Sequence, residues 1–394
     1  MKKILSMVLT VCMIVSFTLG CFPLAIGAAT TDYSDAVLKY VEANTEKGTL
    51  DLGAYWTPQG GAIFYPTGET DSSGKPVYQK DADGNNIYNE EAYKALLQKY
   101  VDAGLNFAVT GNEIYEPRQL DLTVRKAAEV GLGVWFNMCL DNGSTTSVAT
   151  FTDMWYKYLI TAYLGLDYWA SPWKYVAGLT EEQWKATYID DAGIERDVLT
   201  TAERQAYYEK VWEENADKIN KDALAKLYIC DEPAISAASA TKLYGHFSQL
   251  EAKLNQYGIT TPAGINFYPI TAITDSSGTP TYNYLSKYNK YLDNYLLNAN
   301  EVFSGYTGTQ NTKINVDWLM FDYYMSQGSA SSLYLAPYFV NAFYFMNYAQ
   351  NLNVPNYQFV NVVTQNGGGL YSPSEAQLLE ATHLRLMLGV KGIC

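Results

Sequence analysis

Residues 226–233 read Lys226-Leu227-Tyr228-Ile229-Cys230-Asp231-Glu232-Pro233. A short apolar run with no helical spacing ends in two acids and a proline. That is the pattern of a buried strand leaving a sheet at its C-terminal end. In a regular strand Asp231 and Glu232 point to opposite faces, so both serve one ligand only if the strand ends between them. Downstream, Leu243, Phe247, Leu250, Leu254 and Tyr257 share one helical face, and Gly258 stops that helix. Ala263–Phe267 is the next strand, then Trp318–Phe321 and Gln358–Val363.

The same alternation runs upstream. Leu52–Trp56, Asn106–Thr110 and Gly133–Asn137 read as strands. Between them, Asn89-Glu90-Glu91 caps a helix that ends at Gly104, and a second helix runs through Leu120, Val124, Ala127 and Ala128 to Gly131. Ser372-Pro373-Ser374-Glu375 predicts a capping box with proline at the first helical position, opening a helix to about residue 388. Repeated β-then-α units imply a parallel sheet, and this number of them predicts an α/β fold, a (β/α)8 TIM barrel. The eighth strand is only Gly392-Ile393-Cys394. The barrel is therefore expected to be open between strands one and seven, as in a fragment of a longer chain. An open doubly wound sheet is the rival, but Gln59-Gly60-Gly61-Ala62 is not a phosphate loop. Insertions are expected at about 57–88, with turns at Asp71–Gly74 and Asp83–Asn85, and at 141–200. The tryptophans of the second, Trp155, Trp169 and Trp173, are expected to wall one side of the cleft. Asp275–Pro280 repeats the turn chemistry of Asp71, and Asp81-Ala82-Asp83-Gly84 reads as a hairpin turn, since its glycine is misplaced for a calcium loop.

The chain of 394 residues carries 41 acidic and 27 basic side chains, a formal charge of −14. Such a balance argues against a nucleic-acid partner. The 35 tyrosines, 14 phenylalanines and 8 tryptophans fill cores, and they also make flat platforms for ligands with apolar and polar faces. Lys2 and Lys3, an apolar run to Leu19 and the small residues Gly27-Ala28-Ala29 have the layout of a signal peptide over 1–29. Thr18–Cys21 resembles a lipoprotein box only loosely, because an apolar stretch follows Cys21. The expectation is a secreted barrel of residues 30–394, touching a membrane only through its leader before cleavage. Cys139, Cys230 and Cys394 are too few and too scattered for a disulfide framework or a metal site, and no cofactor is expected.

In a β/α barrel the C-terminal strand ends converge on one pocket. They supply Trp56, Asn112-Glu113, Asn137, Asp231-Glu232, Asn266 with Tyr268, Asp322 with Tyr323-Tyr324, and Gln365-Asn366. Carboxylates, amides and aromatics recur, whereas histidine, a serine elbow and basic clusters do not. His246 and His383 lie on helices. Carboxyl groups that donate protons or stabilise charge, aromatic platforms and amides that bind hydroxyls are what glycoside hydrolysis needs. Glu232, Asp322 and Asp231 are the candidate catalytic residues. Trp56, Asn112, Glu113, Asn137, Asn266, Tyr268, Tyr324 and Gln365 are the candidate substrate contacts.

The stretch Leu227–Pro233 resembles the fourth-strand motif of barrel glycoside hydrolases of the large retaining clan, which usually reads Asn-Glu-Pro with the glutamate as acid/base. Asp102–Asn106, Ile265–Pro269, Phe321–Tyr324 and Leu388–Ile393 look like the same superfamily of secreted bacterial barrels. The resemblance implies a glycoside hydrolase on an extracellular glycan, with Glu232 as general acid. It departs at strand seven, where the clan has its nucleophile glutamate and this chain has Val363-Thr364-Gln365-Asn366. Asp322 is one replacement. The other is an Asp231–Glu232 pair similar to that of substrate-assisted hexosaminidases, with Tyr324 assisting. The rival is a carbohydrate-binding barrel without catalysis. Glu232 and Asp322 carboxyls about 5 to 9.5 Å apart across an open cleft would favour hydrolysis, and a buried Asp322 would favour binding.

Overall fold

The computed structural model describes residues 50–394 except 112, 114–115, 139–147, 234–236, 270–290, 294, 297–312, 324–334 and 361–372. Eight strands form a closed parallel barrel: β1 (Asp51–Tyr55), β2 (Phe107–Val109), β3 (Gly133–Asn137), β4 (Lys226–Asp231), β5 (Ala263–Phe267), β6 (Trp318–Phe321), β7 (Asn356–Gln358) and β8 (Gly392–Ile393). The expected gap between strands one and seven is absent. Gly392 and Ile393 pair with Asp51 and Leu52 on one side and with Tyr357 and Gln358 on the other. Two residues suffice because each edge needs only a few ladder bonds, and flanking residues add more. Asp51 N–H donates to Lys391 O at 3.0 Å, and Cys394 N–H to Gln358 O at 3.0 Å. Strand seven begins two residues earlier than the apolar pattern suggests, and of the expected run, residues 361–363 lie outside the described residues.

The helices are α1 (Glu90–Asp102), α2 (Pro117–Val130), α3 (Val148–Leu164), α4 (Thr201–Glu214), α5 (Ala237–Gln256), α6 (Leu335–Leu352) and α7 (Glu375–Met387). Asn89 Oδ1 caps α1 by accepting Ala92 N–H at 3.0 Å, and Gly131, at φ 75°, ends α2. The capping box of α7 sits two residues later than expected. Ser374 pairs with Gln377, because the box needs its partner three residues on, and Pro373 precedes the cap. In 57–88, Asp71 Oδ1 accepts Ser73 and Lys75 N–H, and Asp81 Oδ1 accepts Asp83 and Asn85 N–H in the same way. Asp190 builds a third such turn in the hairpin of Thr187–Ile189 with Glu195–Asp197. Residues 275–280 lie outside the described residues.

The tryptophans of 141–200 pack with the helices of this layer. α3 packs between α2 and α4 as the crossover helix of the third unit, and Trp155 is buried in it. The Lys157 ammonium of α3 lies over Trp169, 5.8 Å from the ring centroid, and Lys185 lies over Trp173 at 5.3 Å. An aromatic-rich segment after a barrel strand is equally the signature of a crossover helix that must cover its neighbours.

Aromatic rings fill the barrel. Phe107 stacks on Trp135 with centroids 4.0 Å apart and planes 11° apart, and Trp318 and Tyr357 pack on Trp135 at 5.0 and 4.9 Å. Below them, Lys226 Nζ lies 3.9 Å from the Tyr357 centroid and 3.9 Å from Asp51 Oδ2. Burial pushes its ammonium down to about 8, with Asp51 opposing. Two inward-facing glycines make room for the rings: a Cβ at Gly53 would lie 2.2 Å from the Phe107 ring, and one at Gly264 2.2 Å from the Trp318 ring. Gly264→Ala is therefore expected to destabilise the chain by about 1–3 kcal/mol in urea unfolding, as overpacking does. Gly245→Ala on α5, where a Cβ meets nothing, is expected to be neutral or stabilising by up to about 1 kcal/mol.

Candidate active site

The site begins with an irregularity in β4. Tyr228 pairs with Gly264 and Cys230 with Ile265, so one extra residue is accommodated between them. The slip brings Asp231 to the face where Tyr228 already stands. Asp231 Oδ1 accepts Tyr228 OH at 2.6 Å and Asn266 Nδ2 at 2.8 Å, and its Oδ2 accepts Tyr55 OH at 3.1 Å. The strand ends there. Glu232 has φ 48°, a left-handed conformation rare for a residue with a side chain, and its N–H donates to Asn266 O at 2.9 Å. The condition under which both acids turn to one site, a strand ending between them, is thus met.

Asp322 follows β6, and its carboxyl is hydrogen-bonded to that of Glu232. Burial pushes the Asp322 carboxyl well above its ordinary value, and the charge and hydrogen bond of Glu232, then Asp231, push the same way. Burial also raises Glu232; the hydrogen bond to Asp322 opposes it and the Asp231 charge adds to it. Two carboxyls in contact cannot both ionise at ordinary pH, so the pair holds one proton between them.

The other predicted residues divide. Trp56, at φ 82° and 52% exposed, and Tyr268, 42% exposed, stand at the ends of β1 and β5. Asn266 is part of the Asp231 cluster. Asn137 is buried at the end of β3, its N–H donating to Thr110 Oγ1 at 2.9 Å. Glu113 is corrected: it is fully buried, bonded to Thr57 Oγ1, to Thr123 Oγ1 at 2.8 Å and to Gly111 N–H at 2.8 Å. With those partners it anchors the end of β2 and has no surface for a substrate. Asn112, Tyr324 and Gln365 lie outside the described residues. His246 is buried on α5 and His383 exposed on α7.

Three residues that sequence reading passed over complete the site. Tyr55 and Tyr228 hold Asp231. Arg385 of α7, fully buried, donates from Nη2 to Tyr323 O at 3.1 Å and Phe359 O at 2.6 Å, tying the segments that leave β6 and β7 beside Asp322. Its guanidinium also lies over the Tyr338 ring at 4.8 Å. No group of three metal-binding side chains is set to hold an ion among the described residues.

No protein-family model matches the chain, and no curated protein matches it in sequence. In fold it is similar to the β-glucuronidase of Ruminococcus gnavus, at 12% identity over 81% of this chain and 43% of that one, with a TM-score of 0.37. A β-glucuronidase of Lactobacillus rhamnosus gives 12% identity over 81% and 42%, with a TM-score of 0.35. An engineered protein gives 13% over 91% and 66%, with a TM-score of 0.41. The chain spans less than half the length of the two glucuronidases.

The proton shared by Glu232 and Asp322 has a measurable consequence. Raised carboxyls keep a proton in the folded chain at pH values where the unfolded chain has released it. Folding stability therefore falls as pH rises above the ordinary values of 3.8 and 4.5. Asp322→Asn removes the charge and keeps a hydrogen-bonding side chain. It is expected to be more stable than wild type by about 1–3 kcal/mol near pH 8, with the gap closing toward about pH 4, in urea unfolding at both. A gap that does not change with pH would show that the pair shares no proton.

Proposed function

We propose that the barrel mouth is the active site of a glycoside hydrolase acting on an extracellular glycan, with Glu232 as general acid. The observation that carries the reading is the gathering of Glu232, Asp322 and Asp231 at the barrel mouth, where burial and the Asp231 charge raise the half-buried Glu232 carboxyl above its ordinary value. Asp322 takes a different part from the one expected of a second carboxylate. A nucleophile and an acid with a sugar between them stand about 5–5.5 Å apart, and two carboxyls in hydrogen-bond contact leave no room for it. Asp322 is a positioning residue that faces Glu232 and shares the proton of the pair with it.

Asp231 is then the second acid of the reaction. Three donors fix its orientation. It accepts the N–H of a substrate acetamido group, whose oxygen attacks the anomeric carbon as the glycosidic bond breaks and Glu232 protonates the leaving oxygen. Water then opens the bicyclic intermediate, returning its proton to Glu232. Trp56 and Tyr268, on strands four apart in an eight-strand barrel, offer flat faces to sugar rings.

A second reading, a carbohydrate-binding barrel without catalysis, is favoured by one specific observation: Asp322 is only 8% exposed. One variant separates the two. Glu232→Gln keeps the shape and removes the transferable proton, so hydrolysis is expected to fall by about 10²–10⁴-fold while glycan affinity stays nearly unchanged. A wild-type chain that binds a glycan without turning it over, matched by Glu232→Gln, establishes the binding barrel. A chain that binds no glycan refutes both.

A further inference from the structure

We propose that this site takes glycan units that are neutral or amine-bearing and rejects uronates and sulfated sugars; the proposal rests on the sugar-site reading above. Tyr55 OH, Tyr228 OH and Asn266 Nδ2 are engaged by Asp231, and the polar atoms left for a ligand around Asp231 and Glu232 among the described residues are acceptors. Asn266 shows it most directly. Its Nδ2 donates to Asp231 Oδ1 at 2.8 Å, while its Oδ1, wholly buried, has no hydrogen-bond partner. A buried carbonyl oxygen left this way accepts a donor from a ligand or water and gains nothing from another acceptor. Asp231, Glu232 and Asp322 bring three acidic side chains together at this place.

Lys and Arg are sparse in the sequence that follows the strands on this side of the barrel; after β1 the next is Lys75. After β3 the next Lys or Arg is Lys157, after β4 Lys242, after β5 Lys287, and after both β6 and β7 it is Arg385. No Lys or Arg occurs between Lys313 and Arg385. Arg385 itself is buried and engaged by the carbonyls of Tyr323, Phe359 and Ala381. Arg118, the first cation after β2, pairs with Asp81 at 3.2 Å. Among the described residues, a substrate carboxylate or sulfate would meet acidic groups with no guanidinium or ammonium shown beside them to receive it. A hydroxyl or an ammonium would meet acceptors.

The test is direct binding of the full chain to a glycan array in which one backbone appears in neutral, free-amine, uronate and sulfated forms, followed by titration of the hits at low and high salt. Binding is expected to neutral and free-amine forms, the latter weakening with salt. Uronate and sulfated forms of the same backbone should bind about 10²-fold more weakly, the scale of uncompensated like charge. A uronate or sulfated form bound as tightly as its neutral parent overturns this inference and leaves the sugar site standing. No binding to any form overturns the sugar site and the inference with it. Asp231→Asn, which removes a charge and keeps the shape, should shrink the discrimination against uronates about tenfold. Unchanged discrimination in a folded Asp231→Asn chain overturns charge as its cause.

Discussion

A barrel of eight short strands encloses a space that only side chains can fill, and the stack centred on Trp135 fills it. Voids in a close-packed interior cost contacts on every wall, so the size of these rings sets what each facing strand can carry. Gly53 and Gly264 are bare because Phe107 and Trp318 occupy their places. Tyr228 lies against Trp318 with centroids 5.7 Å apart. The phenol that orients Asp231 therefore stands on the plug, and the acids at the mouth inherit their height from the rings beneath them.

Above the plug, packing gives way to electrostatics. Asp231 is held by three donors, and Asp322 is buried beside another carboxyl. Environment alone thus divides neighbouring acids into one that accepts hydrogen bonds and a pair that keeps a proton. The left-handed backbone at Glu232 has the same logic. Such a conformation is costly for a residue with a Cβ and persists only where the surroundings enforce it, here the bond from its N–H to Asn266 O.

The alternation of apolar runs and helical faces made the barrel legible, and residue types at the strand ends pointed to carboxyls that the fold brings together. What escaped has physical causes. The slip in β4 depends on register against β5, a long-range pairing with no local signature, so the turn of Asp231 toward Tyr228 could not be read. Arg385 sits in an amphipathic helix where arginine ordinarily meets water, and nothing local tells that it is buried. The capping box of α7 went to Ser374 because two overlapping sequences satisfy the same motif. Aromatic content alone cannot distinguish a cleft wall from a helical layer, so the burial of Trp155 within α3 was not legible. Glu113 looked like any other acid at a strand end, and only its three partners mark it as an anchor.

The seam that closes the barrel also bears on how the chain reaches its fold. Tyr357 OH donates to Asp51 Oδ2 at 2.7 Å across 306 residues of sequence, and β8 joins the same two regions. Contacts of such separation repay their chain entropy only after the intervening units have condensed. Until the seam forms, β1 and β7 each present an unpaired parallel edge, a template for a neighbouring chain. The slowest step of folding and the most aggregation-prone species therefore coincide, in an arc of strands already stacked on Trp135 and waiting to become a ring.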